Sequence, residues 1–528
     1  MKKYSIIAFI ILFGMSNYLY AQAETEALLQ REHLLWISPN IASSNASALS
    51  SLYCEFPEFR GLSDAGLVFN YDFGTLGNPR TAERTRDMIF STQSIRRFNN
   101  TFVSADFSYR VQRLSNVQWL NLMSQTPRPN AISDSTPGDF NSEGLFTTVN
   151  VGHRLNNNHT IGISLNYSIA TGAKNVDLRN INRYLQFGIG PSWMFRQEWG
   201  GFGIDAGFHR AIEDMQYEQR VTQDAQFLFR MEGLWFFEQQ TFSSTTGRFI
   251  QDAGYHANLT LDLNLGQMTL FNQFGVRYTD GFIKLRSTIT QERFGEQEIL
   301  NYTYRGTLII NPRNQIRVTA QNSTLRAYSL VQRNEINPYT LLQEFVTYAR
   351  VPQSSEVRNT ANITFAHASL RNGNAIDHAW RLEVGVGYNQ RRITQRRFPL
   401  LYQQTITIYE GFASFNKNIQ TQRFVFDIKP SVAISTGHGT MFERINLTGT
   451  EDLPEETLVF LPQLEHEFNY LRSTKLGVGL DATIARPIRG NWHRSLFLTA
   501  RANYRHALST DLSGLSRMYV SFHLGLNF

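Results

Sequence analysis

From about residue 65 to the end, apolar and polar residues of this chain alternate. Leu67, Phe69, Tyr71 and Phe73 share one face of their stretch. Ile161, Ile163, Leu165, Tyr167 and Ile169 share another, against Gly162, Ser164, Asn166 and Ser168. The same holds for Tyr255, Ala257, Leu259, Leu261, Leu263 and Leu265, and for Phe424, Phe426, Ile428, Val432 and Ile434. A period of two means strands with one apolar and one polar face. A soluble sandwich alternates too. Here, however, the stretches run for about ten residues or more, and the apolar face is often capped by Tyr, Trp or Phe, which suits tilted strands in a membrane.

Counting these stretches gives eighteen strands, from 65–76 to 517–528, with sixteen and twenty as bounds. The expected fold is therefore all-β: a transmembrane antiparallel up-and-down β-barrel of about eighteen strands. The stretches 224–238 and 283–292 read either as further strands or as loop extensions. Connections alternate between short and long. Short turns are expected at Asn156-Asn157-Asn158, Asn311-Pro312-Arg313-Asn314, Arg371-Asn372-Gly373-Asn374 and Lys417-Asn418. Long loops are expected near 113–143, 171–182, 217–250, 329–354 and 437–467. Short turns on one side and long loops on the other are the habit of outer-membrane barrels, and an even count puts both termini in the periplasm.

The ends of the chain agree. Lys2 and Lys3 precede an apolar run from Ile6 to Phe13, and Ala21 closes a stretch ready for cleavage. Residues 1–21 read as a secretory signal, residues 22–62 as a short periplasmic or lumenal segment, and residues 63–528 as the barrel. Glu24–Trp36 fits a short helix, and the segment is far shorter than the plug domain of TonB-dependent receptors. At the other end Met518, Val520, Phe522, Leu524, Leu526 and Phe528 alternate with Arg517, Tyr519, Ser521, His523, Gly525 and Asn527. This resembles the C-terminal β-signal of Gram-negative outer-membrane barrels, departing from it at His523, where that signal usually carries Gly. The resemblance implies that Phe522, Leu524, Leu526 and Phe528 are read by the barrel-assembly machinery. The region 65–528 also resembles an uncharacterised family of large outer-membrane barrels, through Thr81-Ala-Glu-Arg-Thr-Arg86, Phe102–Val111 and Gly172-Ala-Lys-Asn-Val-Asp-Leu-Arg179. That family brings no function with it.

Composition narrows the chemistry. Cys54 is the single cysteine, so no intramolecular disulfide can form. Net charge is +6, and +4 once Lys2 and Lys3 are removed, too mild to suggest nucleic acid. Of 50 basic residues only 7 are lysine, and arginine keeps its charge when partly buried. On the strand register the lumen receives Arg110, Arg277, Arg317, Arg381, Arg423, Lys429, Lys475, Arg501, Arg505 and Arg517, opposed by Asp106, Asp205, Asp262, Glu383, Asp427 and Asp481. His367-Ala368-Ser369 resembles the His-x-Ser of outer-membrane lipid hydrolases, but no third group stands at a suitable spacing and the register turns both side chains toward lipid. His438 and Asp377-His378 lack companions for a metal site, and Arg391-Arg392 and Arg396-Arg397 read as flanks of an external loop.

The sequence thus points to a non-enzymatic outer-membrane protein without metal or cofactor. Its expected neighbours are outer-membrane lipid, lipopolysaccharide and the assembly machinery. The leading function is a passive channel or substrate-specific pore for small hydrophilic solutes. The rival is a non-conducting scaffold for a surface lipoprotein or an uptake or secretion complex.

Overall fold

The structure, a computed structural model, describes residues 45–50, 61–119, 122–123, 128–219, 227–241, 247–285, 292–339, 343–371, 378–421, 423–449, 459–488, 494–509, 512 and 514–528. The expected signal, Cys54 and Asp377 lie outside the described residues. The strands are β1 Gly61–Gly74, β2 Arg84–Phe98, β3 Thr101–Val117, β4 Ile132–Ser133, β5 Gly138–Arg154, β6 His159–Lys174 and β7 Arg179–Gln197. Next come β8 Gly200–Glu218, β9 Phe227–Gly233, β10 Phe236–Thr241, β11 Arg248–Leu265, β12 Met268–Leu285, β13 Arg293–Asn311 and β14 Asn314–Ile336. The last are β15 Gln343–Leu370, β16 His378–Arg397, β17 Leu400–Gln420, β18 Val425–Asn446, β19 Lys475–Ile488, β20 Arg494–Ala507 and β21 Ser516–Asn527.

Eighteen of these form one closed antiparallel sheet. The ring closes where β1 pairs with β2 on one edge and with β21 on the other. Backbone bonds between Ser63 and Phe528 in both directions extend that seam to the last residue. Closure leaves no sheet edge to hydrogen-bond lipid, which has nothing to offer it. Each strand expected from the alternation is present.

Most of the differences lie at the outer ends, and one at an inner turn. The stretch 329–354 is ladder rather than loop, because β14 and β15 stay paired from His367 out to Gln343. Likewise 171–182 is mostly strand. Lys417-Asn418 lies inside β17; the turn comes later, where Thr421 Oγ1 accepts from the Phe424 backbone. The polar register continues above the membrane with water on both faces, so alternation fades while pairing does not. Inner turns are tight: Asn99 takes a φ of 53° between β2 and β3, and Gly266 a φ of 71° between β11 and β12, the left-handed region that Asn and Gly tolerate.

The outer face carries an apolar belt between two aromatic rims. Tyr255 and Tyr278 are register partners, as are Tyr388 and Tyr409, and with Tyr167, Tyr302 and Tyr504 they mark the outer rim. His159, Trp193 and Phe195 cluster at the inner rim, as do Trp380 and Phe415. Between the rims Ile163, Val276, Ile363 and Val432 stand exposed. Such exposure would be unstable in water, but it is what a bilayer solvates. The chain is an integral barrel of the outer membrane. No helix among the described residues is long and apolar enough to cross a membrane.

Within the lumen, a 3-10 turn at Ala46–Ser50 docks on β5–β8. Ser47 bonds Ser192 through its backbone N–H (3.1 Å) and its hydroxyl (2.8 Å). Gly152 and Gly162 make room, since a Cβ on either would stand 2.7 Å from the Ala46 carbonyl or 2.8 Å from the Ser47 nitrogen. The described part of the N-terminal segment is thus lumenal.

Candidate functional site: the lumen and its outer closure

Three outer connections fold inward instead of standing in solvent. The stretch Phe227-Leu-Phe-Arg-Met-Glu-Gly-Leu-Trp-Phe-Phe237 is too apolar for an exposed loop. It makes a hairpin, β9–β10, which joins β4 in a three-stranded sheet inside the barrel. Leu234 and Trp235 form its tip with φ values of 46° and 62°, a conformation costly for bulky residues. Both are buried, at 5% and 2% exposure, so packing holds a turn that local preference opposes. A helix, α1 Leu461–Arg472, enters from the β18–β19 connection with Pro462 in its first turn, and buries Leu464, Glu467 and Phe468 at three- and four-residue spacing.

These pieces share a core. Trp119, Met231, Leu234, Trp235, Phe236 and Phe237 pack with Leu464 of α1 and with Leu400 and Tyr402 of the β17 wall. Trp119 lies 4.4 Å from Phe460, and Phe237 stacks on Phe460 at 3.9 Å. A second cluster joins Leu122, Ile132 and Leu228 to Met215, Ile250 and Ile283 on the opposite wall, strands β8, β11 and β12. The closure therefore spans the lumen from one wall to another.

Charged groups lock it. Glu467 accepts from Arg391 of the β16 wall (2.9 Å), Arg80 of the β1–β2 connection (3.3 Å) and the Trp235 indole (2.6 Å). The Arg80 guanidinium also lies 3.9 Å from the Trp235 ring centroid. Burial pushes Glu467 up, but Arg391, Arg80 and the hydrogen bonds outweigh it and hold the carboxyl down at about 2. Burial pulls Arg80 the other way, though an arginine keeps its proton under such pressure. Elsewhere Arg397 holds Glu232 at 2.8 Å, Arg128 holds Asp252 at 2.7 Å, and buried Lys174 holds Asp134 at 2.5 Å.

Inward of the closure the lumen wall is polar. Glu383 collects Arg317 (2.5 Å), Arg381 (3.5 Å) and Lys429 (3.8 Å). The ladder sets Lys429 opposite Asp481 and Asp481 opposite Arg501, with Arg501 3.7 Å from Asp481. Arg110 pairs with Asp87 at 2.7 Å, Arg196 with Asp262 at 2.6 Å and Arg517 with Asp72 at 2.8 Å. Asp427 accepts from Asn418 at 2.9 Å, and Asp205 from Asn258 at 2.6 Å. Arg277 and Arg505 stand exposed on the lumen face, and Asp106 is half-buried on it. Lys475 lies 4.5 Å from the Tyr470 ring beside α1.

One expected lumen residue is elsewhere. Arg423 sits exposed in the turn before β18, because β18 begins only at Val425; its parity is right but its strand has ended. Asp72, Asp87, Asp252, Glu213 and Arg196 are lumenal groups that the strand boundaries read from sequence left out or did not weigh. They bring anions and cations into closer balance. His367 faces outward, with Nδ1 2.7 Å from Asn314 Oδ1 and its ring 5.3 Å from Trp380, a member of the inner aromatic rim. His438 stacks on Tyr409. Among the described residues no group of three His, Cys, Asp or Glu side chains is placed to hold a metal ion.

A model of a family of unknown function, DUF6850, matches residues 51–528. No curated protein matches the chain. Among solved structures it is similar to the ferric preacinetobactin receptor BauA from Acinetobacter baumannii, with 8% identity and a TM-score of 0.38 over 89% of this chain and 80% of that one. It is similar also to the outer membrane transporter YddB from Escherichia coli, with 8% identity and a TM-score of 0.37 over 89% and 80%. The FrpB iron transporter from Neisseria meningitidis gives 9% identity and a TM-score of 0.36 over 91% and 83%.

Proposed function

The chain belongs to that family of unknown function, and from its lumen we propose that it is a gated transport barrel: a substrate-specific pore for small hydrophilic solutes, closed at its outer end at rest. The observation that carries this reading is the pairing of an apolar, ion-locked closure with a polar, charge-lined lumen beneath it. A barrel filled only for stability would have little use for arginines such as Arg277 and Arg505 that stay exposed to the lumen. A permanently open pore would have little use for a buried tryptophan core across its mouth.

Transport requires the closure to move. Its elements are connections rather than barrel strands, so they can shift without breaking the ladder. A solute whose binding favours the displaced state would open the path in proportion to that preference. The test is conductance in planar bilayers of the full chain and of a chain in which Phe227–Thr241 is replaced by a short Gly/Ser link. The expected outcome is a mostly closed wild type and a steadily conducting variant. A folded variant with no conductance would favour the scaffold.

The scaffold reading has its own support. β14 and β15 remain paired far beyond the aromatic rim, and the projecting hairpin exposes Ile336 (64%), Tyr339 (94%) and Tyr348 (55%). Such a hairpin suits a surface lipoprotein partner. Capture of one stable partner from intact outer membranes, lost when residues 331–347 are shortened, would support this role beside or instead of transport.

A further inference from the structure

On the lipid-facing side of β8 and β11–β16 a cavity of about 680 Å³ runs along the wall, and its part over β14 and β15 is a trough between two aromatic ridges. Phe274, Tyr302 and Tyr304 make one ridge, with the Phe274 and Tyr304 rings 4.9 Å apart. Tyr388, beside Tyr409 at 5.8 Å, makes the other. Ala320 and Ala361 are register partners and form the floor. Below them the face is plain belt: Ile363 is 51% and Val386 60% exposed.

At the outer end of the trough the same lipid-facing register turns polar. Asn322 Nδ2 donates to Asn359 Oδ1 at 2.6 Å, and Asn359 Nδ2 donates to Gln390 Oε1 at 3.2 Å. Asn359 and Gln390 are register partners, and the next lipid-facing row is Thr324, Val357 and Arg392. Arg326 follows on β14. Both arginines are exposed, and neither makes an ion pair among the described residues. Amides and arginines on a lipid-facing wall are costly in hydrocarbon. They are favourable where they meet sugar and phosphate.

We propose that this trough binds a phosphorylated glycolipid of the outer leaflet, lipopolysaccharide. Along the strand direction the wall reads small apolar floor, amide chain, guanidinium. A lipopolysaccharide molecule presents acyl chain, amide-bearing sugar and phosphate in that order. The acyl chain lies over Ala320 and Ala361 between the tyrosine ridges. The sugar meets the acceptor left at Asn322 and the donors left at Gln390. The phosphate meets Arg392 and Arg326, whose charge it complements. A second copy of this chain would find exposed like charges at the same place.

The experiment is native mass spectrometry of the full folded chain in mild detergent, titrated with purified lipopolysaccharide and, separately, with phosphatidylglycerol. The expected result is retention of lipopolysaccharide over phosphatidylglycerol. Replacing Arg326 and Arg392 together by Ala should weaken retention on the order of tenfold, since each basic group at a membrane surface contributes noticeably to holding anionic lipid. Ala361→Phe should weaken it by filling the floor. Should Ala361→Phe fail to fold, the arginine pair, on the exposed face, still decides. Equal retention of the two lipids, no retention at all, or retention indifferent to the arginines overturns the proposal. So would a change in oligomeric state on altering the trough, which would make it an interface between copies.

Discussion

The outer and inner parts of the same lumen solve opposite problems. The outer part is apolar, aromatic and built from connections, and it pairs buried charges across distant elements, Glu467 with Arg391 and Arg80 and Lys174 with Asp134. The inner part is built from barrel strands, and several of its charges face open space. Rigidity and packing are therefore divided against expectation: the strands carry the adaptable surface and the loops carry the core. Burial makes the outer ion pairs sensitive to loss of one partner, because the survivor is left charged in a poor solvent. Exposure makes the inner pairs weak and dispensable one at a time.

The strongest way to break this contrast is to remove the outer core. Replacing Phe227–Thr241 by a short link deletes Trp235, Phe236 and Phe237 together. Conductance should rise from near zero to a steady open level, while the heat-modifiable gel shift of the folded barrel persists. A barrel that fails to assemble would show instead that the closure is part of the folding core.

How much of this was visible in the residues follows the same division. Period-two alternation found the barrel strands because each has lipid on one side, and the lipid face leaves an unbroken apolar record such as Ile161 to Ile169. Lumen assignments follow from parity alone, which is why Arg317, Arg381 and Glu383 fall on the lumen face as expected while Arg423, assigned there by the same parity, sits in the turn two residues short of its strand. The closure was illegible for a different reason. Glu467 meets Arg391 across 76 residues of chain, Trp235 across 232 and Arg80 across 387, and no periodicity encodes such meetings. One signal was present: Phe227 to Phe237 is too apolar for a solvated loop, so it had to be buried somewhere.

Next in size is the lock itself. Glu467→Gln keeps the shape and can still accept from Trp235, but leaves Arg80 and Arg391 without a counter-charge. Breaking a buried pair in this way costs about 3–5 kcal/mol, enough to raise the open fraction roughly a hundredfold or more. Frequent openings in a bilayer, at an unchanged open level, are the expected signature. Unchanged gating would mean that the aromatic core holds the closure unaided.

Acid should approach the same state in the wild type. Glu467 is held at about 2, below its ordinary 4.5. A depressed carboxyl stabilises the closed form above its ordinary value, and that contribution drains away as pH falls through the folded value. Openings should therefore increase only between about pH 4.5 and about pH 2, and the response should vanish in Glu467→Gln. A wild type that opens near neutral pH would point to another titrating group.

The smallest effect belongs to the inner wall, and it tests whether those charges shape transport at all. In the hairpin-replaced barrel, changing Arg317, Arg501 and Arg505 to Gln removes three lumen-facing cations. Two of them have carboxylate partners, Arg317 with Glu383 and Arg501 with Asp481, so their removal also frees anions to face the solute. The reversal potential under a salt gradient should shift toward cations by a few millivolts, because fixed charge lining a pore biases ion entry. The shift should be visible near 0.1 M salt, where screening extends about 10 Å, and should fade near 1 M, where it falls to about 3 Å. Restoring Arg505 alone should recover part of the shift, since it is exposed to the lumen and its charge is felt in full. No shift at low salt would mean that the arginines hold the barrel in shape and do not set which ions enter.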